Sequence, residues 1–344
     1  MKIEGRTFVI SGGASGLGQA CVEEICRNGG HVAILDLNAE NGAELVSNLP
    51  KGVARFFECN VLETESITAA VAGAVDWIKE TGKPLAGVVP AAGVSTPATI
   101  LDRNGDAFNL DDFDFVMNVN LRGTIDLVRQ CLVHLAKVEP VGEDQERGIV
   151  VMVASSAAFD GQKGQVSYSA SKGAVTAMTL PLARDLARYG IRVVTIAPSL
   201  FESRMTAMMS EKVKRSLEKA MEFPRRAGKP EEFAQLVRQS IENVMLNGTV
   251  LRLDGGMRMP SKISRIFPGI WEYAQHGRQD KHLINMSSRG GNGGSNLPNF
   301  QWASITAPPV SKREGTLPPL QSGNPSGHGP KPKPLEPPCK PKLK

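Results

Sequence analysis

Thr7-Phe8-Val9-Ile10-Ser11-Gly12-Gly13-Ala14-Ser15-Gly16-Leu17-Gly18 is an apolar run that breaks into a glycine turn. The run reads as a buried strand, and Gly16 to Asn28 as the helix behind it. A turn this tight needs backbone angles that glycine adopts at least cost. A pyrophosphate must also approach the backbone where a Cβ would clash. The free N–H groups and positive end of the following helix then stabilise the anion. Strand, turn and helix in that order read as a dinucleotide cradle, with Gly12, Ser15, Gly16, Leu17 and Gly18 as candidate contacts. The second apolar run, His31 to Asp36, ends in an acid about twenty residues beyond the glycines. A carboxylate there accepts hydrogen bonds from ribose hydroxyls and repels a 2′-phosphate. No basic residue follows it at Leu37-Asn38, so the expected cofactor is NAD rather than NADP.

The same alternation continues outward. Apolar runs fall at residues 55–61, 86–92, 148–155, 191–198 and 249–254. Their interiors are continuously apolar, as in Val32-Ala33-Ile34-Leu35 and Ile149-Val150-Val151-Met152-Val153. Continuous apolar strands are covered on both faces, as in a parallel sheet between helices. Helix-length stretches at residues 63–80, 110–138 and 167–189 supply the crossovers. The expected fold is α/β, a Rossmann-type doubly wound parallel sheet in a single domain. Residues 139–147 form a charged insert, expected as a surface loop.

Composition changes after residue 263. More than half of the prolines lie beyond it, with the cluster Gly290-Gly291-Asn292-Gly293-Gly294-Ser295. Such a segment buries too little apolar surface to offset its ordering entropy. The expectation is an NAD-binding domain over 1–263 and a disordered, basic, Pro/Gly-rich tail over 264–344. The tail carries eleven Lys or Arg against four Asp or Glu. With a net charge of +5 for the whole chain, this leaves the domain slightly acidic, which argues against nucleic acid as its partner. The tail could touch RNA or acidic membranes, but a solvated end is the simpler reading. Five scattered cysteines, with no Cys-x-x-Cys pair and no Cys/His cluster, suit a reducing compartment and give no metal site. The strand pattern from Thr7 leaves no room for a signal peptide, and no apolar run reaches the ~20 residues of a membrane span. A soluble intracellular protein with a small-molecule partner is expected.

Tyr168-Ser169-Ala170-Ser171-Lys172 places a phenol and an ammonium on one helical face. A free Tyr, with a pKa near ~10, is a poor base at neutral pH. A neighbouring cation favours the phenolate, so Lys172 is expected to lower the pKa of Tyr168. A nicotinamide bearing positive charge would add to this, and Tyr168 could then take the proton of a substrate hydroxyl. Lys172 could also hold the nicotinamide ribose, so Tyr168 and Lys172 are candidate cofactor contacts as well. Ser155 closes the run 148–155, and strand ends of this kind face the ligand crevice. Its hydroxyl could steady the charge developing on the substrate oxygen. Ser156 is the competitor, expected to face elsewhere on the turn.

These residues together resemble the short-chain dehydrogenase/reductase family over residues 5–260. The turn Ser11 to Gly18, Pro90-Ala91-Ala92-Gly93, Asn120, Ser155, Tyr168 and Lys172 match its motifs. The resemblance implies a catalytic tetrad, with Asn120 holding a water that relays protons beyond Lys172. It implies cofactor contacts from Asn60, Val61, Ala91, Ala92, Gly93, Pro198, Phe201 and Ser203. Met178 to Leu186, Ile191 to Phe201 and Arg252 to Gly256 further resemble the family's type-2 3-hydroxyacyl-CoA dehydrogenase branch. That branch implies oxidation of a 3-hydroxyacyl-CoA with NAD in fatty-acid or branched-chain amino-acid breakdown, by a homotetramer in mitochondria. Peroxisomal and cytoplasmic locations stay open. Ser261-Lys262-Ile263 is similar to a peroxisomal address but is internal here.

Some positions depart from the pattern. Asn60 stands where the family has Asp, and weaker adenine binding is expected. Pro90 removes a side-chain amide and a backbone donor, which puts local sheet support in doubt. Ser199 replaces a Gly, and Ser203 a Thr. Residues 201–226 are expected to cover the substrate, with Met205, Met208, Met209 and Met221 either as an adaptable wall or as ordinary helix packing. Lys212, Lys214 and Arg215 could meet coenzyme A phosphates but read more simply as a solvated face. His31 and His134 are expected in the core. Two other readings are a dehydrogenase of steroid or secondary-metabolite alcohols, and a non-catalytic scaffold acting through its tail.

Overall fold

In the computed structural model, described for residues 1–259 other than 208 and 210, one parallel sheet organises the chain. The strands are β1 (Thr7–Ser11), β2 (His31–Asp36), β3 (Ala54–Glu58), β4 (Leu85–Pro90), β5 (Gly148–Val153), β6 (Ile191–Pro198) and β7 (Thr249–Leu253). The helices are α1 (Gly16–Arg27), α2 (Ala39–Asn48), α3 (Thr64–Thr81), α4 (Leu110–Met117), α5 (Thr124–Leu135), α6 (Val166–Leu186), α7 (Arg204–Ala207), α8 (Glu211–Lys219) and α9 (Pro230–Glu242). Strand order is β3-β2-β1-β4-β5-β6-β7. The chain order reverses between β1 and β4, which makes the carboxyl ends of those strands the ligand crevice of a doubly wound sheet.

The apolar runs form these strands because both faces are covered. Every residue of β1, β4, β5 and β6 is buried. One face packs Val9, Leu35, Val88, Val150 and Met152 against Ile67, Trp77, Leu127 and Val175. The other packs Phe8, Ile10, Ile34, Val151 and Ile196 against Val22, Ile25, Phe233 and Ile241. The doubly wound α/β expectation therefore holds. Residues 264–344, with their expected disorder, lie outside the described residues.

Pro90 leaves a visible mark. β1 pairs with β4 through to Ser11 opposite Pro90, but the β4–β5 ladder covers only Gly87 and Val88. A proline offers no N–H there. Support passes instead to the β1 side, where Ala91 N donates to the Ser11 carbonyl at 3.0 Å.

The charged insert is more than a surface loop. Residues 142–145 are exposed, but Glu146 is buried and pairs with buried Arg192 on β6 at 2.7 Å. Arg192 also donates to the carbonyls of Ser240, Ile241, Asn243 and Leu246, around the end of α9. Burying a guanidinium is costly unless its donors are met in this way. His31 and His134 are half-buried rather than core, and burial pushes the pKa of each down.

Candidate active site

The glycine turn follows β1 as expected. Gly12 and Gly16 have φ of +64° and +55°, the left-handed region that favours glycine. A Cβ on Gly12 would lie 2.7 Å from Ala92 N, and one on Gly18 would overlap the Gly12 carbonyl oxygen. At Gly16 the nearest atom to such a Cβ is Ser203 Cβ at 3.5 Å. The turn is thus locked from behind and open at Gly16, the shape a phosphate needs. Ser15 begins α1 without capping it through its side chain, so its hydroxyl is not spent on the helix.

Asp36 ends β2 beside this turn. Its Oδ2 accepts from Ala14 N and its Oδ1 from Asn38 N, both at 3.0 Å. Each oxygen keeps lone-pair capacity for a ribose hydroxyl. Asn60 follows β3. Its Oδ1 accepts from Leu62 N at 3.1 Å and its amide donates to Glu63 at 2.8 Å, so it shapes its own turn. Val61 packs under Gly123, where a Cβ would meet the Val61 carbonyl at 2.7 Å. Ala91 and Ala92 are half-buried after β4, and Gly93 is exposed. A Cβ on Gly93 would stand 3.3 Å from Asn120 Oδ1 and 3.4 Å from Lys172 Nζ. Pro198 closes β6. The Phe201 ring is buried against Phe233 at 6.3 Å between centroids, so any cofactor contact would come from its backbone. Ser203 stands opposite Gly16 and accepts from Thr206 N at 3.2 Å. Ser199, the other departure, donates to Met257 Sδ at 2.9 Å.

Ser155 lies past the end of β5, where its Oγ accepts from Ala157 N at 3.1 Å and stands beside the Tyr168 phenol. Ser156 is fully buried. Lys172 is buried on α6, its Nζ 5.9 Å from the Tyr168 ring centroid and donating to the Val153 carbonyl at 2.9 Å. The expectation for the phenol is corrected here. Burial pushes Tyr168 up, opposed only by the Ser155 hydrogen bond. Lys172 is itself pushed down to about 8 by burial, and its ammonium is directed at a strand carbonyl. In the protein alone, Tyr168 is therefore a stabilised phenol.

Asn120 sits in a π-helical segment, Asn118–Gly123, between α4 and α5. Its Oδ1 accepts from Val94 N and its Nδ2 donates to the Val94 carbonyl, both at 2.8 Å. This staples the loop after β4 to the helix beside α6. Thr124 Oγ1 donates to the Asn120 carbonyl at 2.8 Å.

On the substrate side, Met221 is buried with Leu200, Val213, Leu217 and Met257, and Met209 packs against that cluster. These two methionines follow the helix-packing reading. Met208, and the side chains of Met205 and Lys212, lie outside the described residues. Lys214 pairs with Glu211 at 3.1 Å. No helix among the described residues is long and apolar enough to cross a membrane. The cysteines at 21, 26, 59 and 131 are free. Burial holds the Cys26 and Cys131 thiols at about 12 and Cys59 at about 11, so none is a nucleophile at neutral pH.

A glycine cradle at the sheet's switch point, with hydroxyl, phenol and ammonium at the neighbouring strand end, defines a Rossmann-fold oxidoreductase. The family model for short chain dehydrogenase matches residues 6–214. A 3-hydroxyacyl-CoA dehydrogenase type-2 of Drosophila melanogaster is 42% identical over 258 residues, 75% of this chain and 99% of that protein. The Homo sapiens protein of the same name is 40% identical over 265 residues, 75% of this chain and 97% of that protein. The crystal structure of a 3-hydroxyacyl-CoA dehydrogenase type-2 from Mycobacterium avium matches with a TM-score of 0.70 at 35% identity, covering 75% of this chain and 98% of that one. The chain belongs to the short-chain dehydrogenase family. It is an oxidoreductase acting on CH–OH groups with a nicotinamide cofactor, which the cradle at Gly12, Gly16 and Gly18 fits.

Proposed function

We propose that the protein oxidises a 3-hydroxyacyl-CoA to the 3-oxoacyl-CoA with NAD. The observation that carries the chemistry is the buried Tyr168 phenol beside Ser155, with the Lys172 ammonium 5.9 Å from its ring centroid and fixed on the Val153 carbonyl. The substrate class is supported by relatives of that name, matched over nearly their whole length. Bound nicotinamide would accept the hydride and bring a positive charge. The Ser155 hydroxyl holds the substrate oxygen, and Tyr168 takes its proton. Burial makes the lone phenol resist ionisation, so Tyr168 becomes a base only as positive charge joins Lys172 beside it. Lys172, tied to Val153, holds its own charge in place.

Asp36 supports NAD over NADP, because a 2′-phosphate would meet its carboxylate. Asp36→Asn keeps the size and one acceptor while removing the charge. It is expected to narrow the ratio of kcat/KM for NAD over NADP by at least about tenfold, about 1.4 kcal/mol. An unchanged ratio would remove Asp36 from cofactor selection. The substrate reading is tested by comparing kcat/KM for 3-hydroxybutyryl-CoA with that for a panel of steroid alcohols. A clear steroid preference would replace it. The resemblance extends the reading to a mitochondrial homotetramer. Exposed Leu110 and Phe115 on α4, and Val166 and Leu180 on α6, support association. Light scattering and cell fractionation check the two points.

A further inference from the structure

Ser171 lies between Tyr168 and Lys172 on α6 and is fully buried. Its Oγ donates to the Tyr168 carbonyl at 2.8 Å, a local bond that many helical serines make. The second bond is different. Asn120 Nδ2, 51 residues away in sequence, donates to the same Oγ at 3.1 Å. Because the serine proton is committed to the Tyr168 carbonyl, its lone pairs face Asn120. Asn120 then has both amide donors used, on Val94 and Ser171, and its Oδ1 accepts from Val94. Neither side chain is exposed, so solvent cannot replace a lost partner.

We infer that Ser171 is a positioning residue: it fixes α6, and with it the Tyr168 phenol and Lys172 ammonium, against Asn120 and the loop after β4. This rests on the dehydrogenase reading above. The geometry makes the link specific. Lys172 is joined to the end of β5 through the Val153 carbonyl, and Tyr168 stands beside Ser155 just past it. Ser171 adds a hydrogen bond to a different element, the π-helical segment that carries Asn120, whose neighbour Gly93 faces Lys172. Without that bond α6 can shift relative to the π-helical segment by a fraction of an ångström. Misplacement on that scale falls on proton transfer, not on cofactor affinity, because the cradle belongs to β1 and α1.

The test uses the full chain with Ser171→Ala and Ser171→Cys, assayed on whichever secondary alcohol the wild type oxidises. Failure of the acyl-CoA assignment would then show in the wild type, and failure of this inference only in the variants. Ser171→Ala should lower kcat by about 10- to 100-fold, leave KM for NAD within about twofold, and raise the solvent deuterium isotope effect on kcat. Ser171→Cys keeps the shape with a weaker acceptor, so it should fold and fall between. In an Asn120→Ala background, Ser171→Ala should cost little more, because its partner is gone. Wild-type kcat and isotope effect in either variant, or full additivity with Asn120→Ala, would overturn the inference. If the alanine variant does not fold, the cysteine variant alone decides.

Discussion

Tyr168→Phe should lower kcat by about 10³-fold, while NAD binding stays within about twofold of the wild type. The variant deletes one oxygen and keeps the ring. That oxygen stands beside Ser155 and is the group placed to receive the substrate proton. The cradle is formed by other residues, Gly12, Gly16 and Gly18 at the end of β1. Single-turnover oxidation and NAD titration by fluorescence separate the two effects. Retained turnover would move the proton acceptor elsewhere. Because burial pushes the phenol's pKa up, oxidation by the wild type should also speed up as pH rises toward the alkaline range. Tyr168→Phe should lose that dependence.

Gly18→Ala is the second large effect, and it acts on the fold. The added Cβ would overlap the Gly12 carbonyl oxygen and lie 2.8 Å from its carbon. Both are backbone atoms of a turn that cannot move aside without carrying β1 or α1 with it. Overpacking against side chains costs about 1–3 kcal/mol, and a rigid backbone places this site at or above the top of that range. Denaturant unfolding should report the loss, together with loss of NAD binding. Gly16→Ala is the informative contrast, with its Cβ in ordinary contact with Ser203 at 3.5 Å but a φ of +55°. It should cost about 1–2 kcal/mol through the left-handed backbone and more through the cofactor it crowds. Equal stability losses in the two variants would contradict this account of the turn.

What the sequence revealed followed from how local the signals are. The cradle is a strand, a turn and a helix within a dozen residues, and Asp36 is marked by the end of the next strand. Tyr168 and Lys172 are one helical turn apart, and Ser155 ends an apolar run, so each is legible without its neighbours. Asn120 is not. Nothing adjacent distinguishes it from another helical residue, and only the family resemblance singled it out. Its setting depends on the π-helical segment that lays Gly123 against Val61, and on Val94 and Ser171, partners 26 and 51 residues away. Ser171 is hidden for the same reason, inside a motif already credited to its neighbours. Glu146 reads as one more charge in a surface insert, because its partner Arg192 lies on another strand. The phenol's ionisation is not legible from the motif, because spacing on a helix face does not report burial, or where a lysine ammonium finds its acceptor.

The most direct test of the central claim is a single assay of the purified full chain with NAD and 3-hydroxybutyryl-CoA. It follows NADH absorbance and identifies the acyl product by mass spectrometry. The account predicts stoichiometric formation of NADH and acetoacetyl-CoA. NAD binding without either product would contradict the substrate assignment, and absence of NAD binding would contradict the function assigned to the glycine cradle.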